Sequence, residues 1–88
     1  MHIAMRPTTT QKVNSSGTSA QSAAFAANID YVRVCADAAC HIEFGVNPTA
    51  TTSKIYLPAD DVEYFKVSPG EKVAVIGTVN LYVSELSE

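Results

Sequence analysis

The 88-residue sequence has no tryptophan, only two cysteines, and no apolar run near the ~20 residues that a membrane-spanning helix needs. The nearest approach, residues 20–27, is too short, too rich in alanine and broken by Gln21 and Ser22. Basic residues are also few: six Lys and Arg stand against nine Asp and Glu, a net charge of −3. They are scattered at Arg6, Lys12, Arg33, Lys54, Lys66 and Lys72, whereas phosphate binding needs them clustered, so no nucleic acid partner is expected. The opening residues lack a charged region followed by an apolar core, so no secretion signal and no membrane partner are expected.

Reactive constellations are missing as well. There is no glycine-rich phosphate loop, no CxxC and no paired-carboxylate motif in a recognisable context. His41 is the single candidate base, with Glu43 on the same strand face and no nucleophile to place beside them; it reads as a surface or interface histidine. Asp60, Asp61 and Glu63 bunch three carboxylates but lack the glycine and further oxygens of a calcium loop, and read as a solvated turn. Cys35 and Cys40 flank four residues. That spacing allows a disulfide across a hairpin, but the expectation is two reduced thiols, and a zinc site would need ligands that are absent. The chain is therefore expected to have no catalytic residues, no metal and no cofactor.

What is present is strand chemistry. Val62-Glu-Tyr-Phe-Lys-Val67, the turn Ser68-Pro-Gly-Glu71 and Lys72-Val-Ala-Val-Ile-Gly77 read as strand, turn and strand, a central hairpin. Pro69 suits the first central turn position, and Gly70 tolerates the positive φ that a type II turn demands of the next. Residues 29–36 alternate, with Val32, Val34 and Ala36 on one face and Tyr31, Arg33 and Cys35 on the other. In residues 40–44, Cys40, Ile42 and Phe44 face one way; in residues 77–85, Val79, Leu81 and Val83 face inward and Asn80, Tyr82 and Ser84 outward. Residues 45–53 are a polar loop, and Pro58 ends the short strand 54–57. The expected fold is all-β: a small antiparallel β-sandwich or jelly-roll-like barrel spanning residues 29–88.

Residues 1–28 differ in composition. Threonines 8–10 and the polar run 14–19 have little to bury, which predicts an extended N-terminal arm, with residues 11–14 able to form one short strand. Phe25 is its one large apolar anchor, plugging into a neighbour or into the domain. A globular part of about 60 residues is marginal alone and gains from oligomerisation or docking. The expected partner contacts are Thr8, Thr9, Thr10, Val13 and Phe25 of the arm, Asn47, Thr49 and Thr51 of the loop, and the outward Tyr31 and Tyr82.

Residues 31–83 resemble the small decoration, or cement, proteins of tailed-bacteriophage capsids. The resemblance is carried by Tyr31-Val-Arg-Val34, His41-Ile-Glu-Phe-Gly45, Ile55-Tyr-Leu-Pro-Ala59, Glu63-Tyr-Phe-Lys-Val-Ser-Pro-Gly-Glu-Lys-Val-Ala-Val-Ile76 and Leu81-Tyr-Val83. It implies a virion structural protein, made in the host cytoplasm and placed on the outer capsid surface. There it would bind major capsid proteins between capsomers, often as a trimer, and brace the shell. The alternative is a receptor- or glycan-binding module of a head fibre or tail that uses the exposed tyrosines. A cupin-like enzyme is a third and weaker class.

Overall fold

The computed structural model describes residues 6–87, with side chains described for residues 8–86. Most of the segment read for a secretion signal lies outside the described residues. Eight strands follow in order: β1 (Arg6–Ser16), β2 (Ala20–Gln21), β3 (Tyr31–Ala36), β4 (Cys40–Gly45), β5 (Ile55–Leu57), β6 (Val62–Lys66), β7 (Lys72–Ile76) and β8 (Thr78–Ser87). They make two four-stranded antiparallel sheets, the first ordered β1-β8-β3-β6 and the second β2-β7-β4-β5. Every connection except β4 to β5 changes sheet. Two facing sheets wound in this way are a jelly roll.

The alternation read in the sequence sets the two faces of each sheet. Val32 and Val34 of β3, Ile42 of β4, Val73 and Val75 of β7 and Leu81 and Val83 of β8 are wholly buried between the sheets. Their neighbours along each strand point away from the core. Branched aliphatic side chains suit this role because their restricted χ1 loses little freedom on a pleated, packed surface.

The strands around the Ser68–Glu71 turn are not a hairpin. The turn itself is as expected: the Glu71 N–H donates to the Ser68 carbonyl at 3.1 Å, and Gly70 has a φ of +82°. But β6 pairs with β3 in the first sheet, and β7 lies between β2 and β4 in the second. Both ladder edges of β7 are therefore occupied, and the turn is a corner that carries the chain across the sandwich. The same correction applies to the cysteines. Cys35 lies on the outer face of β3 and Cys40 is buried on β4 in the opposite sheet; both are free thiols.

Much of residues 6–28 is built into the sheets, as β1 and β2. β1 pairs with β8 along its length, and β2 with β7, so the pairing crosses the division expected at residue 28. The Cα radius of gyration, 12.1 Å, matches the ~12 Å of a compact domain of this size, so the described residues form no long projecting arm. The register of β1 explains why it read as an arm. Its inward positions past the bulge are Gln11, Val13 and Ser15, opposite Val83, Leu81 and Val79, and only Val13 is apolar. The polar ones are satisfied locally. The Ala23 N–H donates to Gln11 Oε1 at 2.8 Å, and Ser15 Oγ donates to the Thr18 carbonyl at 2.6 Å. Phe25, 3% exposed, fills the domain's own core.

Candidate interface

The outer face of the first sheet gathers side chains far apart in the sequence. Across β1-β8-β3-β6, one row reads Thr10, Ser84, Arg33 and Tyr64, and the next reads Lys12, Tyr82, Cys35 and Val62. In a third, Tyr31 stands between Leu86 and Lys66. Arg33 is thus central, with Tyr64 directly opposite on β6, Tyr31 two residues back on its own strand and Tyr82 diagonal on β8. Tyr64 is 65% and Tyr82 39% exposed.

These strands hold three of the four tyrosines and three of the six basic residues on one face. Among the described residues no Asp or Glu points outward on it. Glu63 falls opposite the inward Val34 at the sheet edge, a placement that discourages unwanted strand addition there. At the rim, the Asn80 N–H and Nδ2 donate to the two Asp37 carboxylate oxygens at 2.8 and 3.0 Å, and Asn14 Nδ2 donates to Asn80 Oδ1 at 2.8 Å. The backbone and then the side-chain bonds from Asn80, with Lys12 nearby, hold the Asp37 carboxyl below its ordinary range.

The second sheet presents a different surface. His41 and Tyr56 are cross-strand neighbours with ring centroids 5.3 Å apart, beside a shallow cleft of about 360 Å³ at the Gly77 corner. Glu43 does not orient His41. Its carboxylate pairs with Lys54 at 3.1 Å and accepts the Phe44 N–H at 3.0 Å, and these bonds, Lys54 first, lower its pKa. Burial, with a smaller contribution from Asp37, pushes the Cys40 thiol up to about 11. Asp60, Asp61 and Glu63 are exposed, and among the described residues no group of His, Cys, Asp or Glu is arranged to hold a metal ion.

The expected contact residues separate on this geometry. Thr10, Tyr31 and Tyr82 meet on the outer face of the first sheet. Thr8 and Thr9 are exposed at a β-bulge, where Thr8 Oγ1 donates to the Glu85 carbonyl at 3.2 Å. Asn47, Thr49 and Thr51 are exposed in the β4–β5 loop, with Asn47 Oδ1 accepting Gln21 Nε2 at 2.9 Å. Val13 and Phe25 belong to the core, so neither is free to anchor a partner. Sequence reasoning passed over Arg33, Tyr64, Lys12 and Lys66 because their convergence depends on which strands pair. The alternation did place Arg33 beside Tyr31.

Comparison with known proteins returns no matching family model, no matching curated protein and no matching solved structure.

Proposed function

We propose that the chain is an adhesive structural subunit: a capsid decoration protein that binds major capsid proteins between the capsomers of a tailed-phage head, as an oligomer that the resemblance of its strands makes a trimer. The observation that supports this most is the tyrosine-and-cation face on the first sheet. Tyrosine and arginine are enriched where proteins meet, because each buries a large, stiff group that still forms hydrogen bonds. A broad sheet face of this kind suits a bracing role better than a chemical one. Fold alone decides nothing here, since jelly rolls serve capsids, lectins and cupins alike. On this reading the chain is not an enzyme and needs no cofactor.

The test is a reconstruction of the particle. Density for this chain between capsomers on the outer shell is the expected result, and its absence from the head ends the proposal. The second reading, a glycan-binding module, is favoured by the exposed Tyr56 beside His41 at the cleft, an aromatic surface on which a sugar ring can stack. Glycan-array binding lost on Tyr56→Ala or Tyr82→Ala selects that reading; a silent array removes it.

A further inference from the structure

The face centred on Arg33 has a chemistry of its own in a chain whose net charge is −3. We propose that it docks a carboxylate-bearing protein surface, with Arg33 as the central contact and Lys12 and Lys66 flanking it; this rests on the adhesive reading above and names the partner's chemistry.

Charge separation argues for it first. Lys54, on the second sheet's side, is already paired with Glu43, whereas among the described residues Arg33 and Lys66 have no carboxylate within ion-pair distance. Lys12 has the rim carboxylate of Asp37 nearby, and Asp37 is already bonded to Asn80. An acidic surface laid on this face would supply the missing partners. Arg33 offers a planar fork that matches a carboxylate with two parallel hydrogen bonds. The tyrosines around it exclude water from the pair, which strengthens it, and their hydroxyls bond to the partner's polar groups.

Nucleic acid fits less well. Three cations release few counterions, giving a weak contact with only a shallow salt dependence, too little to hold a nucleic acid strand. Size carries a further consequence. Four strands at ~4.8 Å spacing and about six residues of length make a face of roughly 15 by 20 Å. That falls well short of the ~800 Å² per partner of a stable interface, so a single copy binds weakly and linked copies bind through avidity.

Isotope-labelled full-length chain is titrated with poly-L-glutamate at low salt, and its backbone amide shifts are followed. The expected result is a set of shifts confined to the first sheet, strongest around Arg33, Tyr64, Lys66 and Tyr82. Binding should weaken about thirtyfold in Lys12→Glu/Lys66→Glu, the loss expected when contacts of hot-spot strength are removed. It should persist in Lys54→Glu/Lys72→Glu, which changes net charge equally on the other sheet. Shifts on the second sheet, equal weakening in both variants, or tighter binding of heparin or single-stranded DNA to the same residues each overturn the proposal. The wild-type map decides even if a variant fails to fold. A reconstruction with the second sheet against the shell overturns this inference and leaves the cement reading intact. Poly-L-glutamate binding at Arg33 by a chain absent from heads does the reverse.

Discussion

The Phe25 N–H donates to the Glu71 carbonyl at 2.8 Å, and the Phe25 carbonyl accepts the Gly70 N–H at 3.3 Å. The segment after β2 is thereby stitched to the corner between β6 and β7, with the Phe25 ring driven into the core below. Replacing a buried aromatic side chain by alanine costs about 3–5 kcal/mol, against a total of roughly 5–10 kcal/mol for a domain of this size. Phe25→Ala is expected to lower the denaturant midpoint sharply. Deleting residues 1–28 is expected to abolish cooperative unfolding altogether, since it removes two strands as well. A truncated chain that melts cooperatively at the full-length temperature would contradict this.

Gly77 carries the chain from β7 to β8, between the two sheets, at a φ of +141°. A Cβ there would lie 3.4 Å from both the Ala39 carbonyl oxygen and Cys40 Cβ, in a backbone conformation that L side chains rarely adopt. Gly77→Ala is expected to lose about 1–3 kcal/mol. At Gly45 an added Cβ meets only Pro48 at 3.9 Å, so Gly45→Ala serves as the mild control. Equal losses in the two variants, measured by thermal melting, would refute the strain argument.

Glu85 is only 5% exposed, at an inward position of β8, and its Oε1 accepts the Ala26 N–H at 2.7 Å. Hydrogen bonds to charged groups contribute about 1.5–3 kcal/mol. Glu85→Ala is expected to destabilise by an amount in that range, and Glu85→Gln, which keeps an acceptor, by less. Chemical denaturation of the three proteins checks the order.

The two thiols are expected to differ in reactivity. Cys40 is buried and its thiol is pushed up to about 11, whereas Cys35 is half-buried on the outer face of the first sheet. A disulfide-exchange reagent at pH 8 should titrate Cys35 in the native protein and both thiols only after denaturation. Two thiols reacting at one rate in native protein would contradict the assignment.

Stability should also fall at both ends of the pH scale. Asp37 and Glu43 have lowered pKa values in the fold, so the unfolded chain binds more protons there. Their contribution is present above the ordinary values of 3.8 and 4.5 and is lost as pH falls through the lowered ones. Cys40 has a raised pKa. The unfolded thiol therefore ionises first, and stability declines as pH rises from 9 toward 11. Asp37→Asn should flatten part of the acid limb and Cys40→Ala part of the alkaline one, as followed by melting temperature against pH.

Much of the fold was legible residue by residue. The alternation of Val32, Val34 and Ala36 against Tyr31, Arg33 and Cys35 placed both faces of β3, and Val79, Leu81 and Val83 did the same for β8. Pro69 and Gly70 marked a real turn. What could not be read was which ladder each strand joins. Periodicity is a local property of one strand, whereas pairing depends on edges contributed by residues far away in sequence. Two corners therefore read as hairpins. β1 escaped because Gln11 and Ser15 occupy inward positions through hydrogen bonds to Ala23 and Thr18, a signal that apolar patterning does not contain.

The sequence by itself determined the strand chemistry, the turn residues and the side of each strand that is buried, because these follow from side-chain periodicity and the φ demands of proline and glycine. Only the tertiary structure decided that Val13 and Phe25 are core, that Cys35 and Cys40 lie in opposite sheets, and that Arg33 stands among three tyrosines. Those relationships arise from the order of strands in the two sheets, which is set by non-local hydrogen bonding and the closure of a common core.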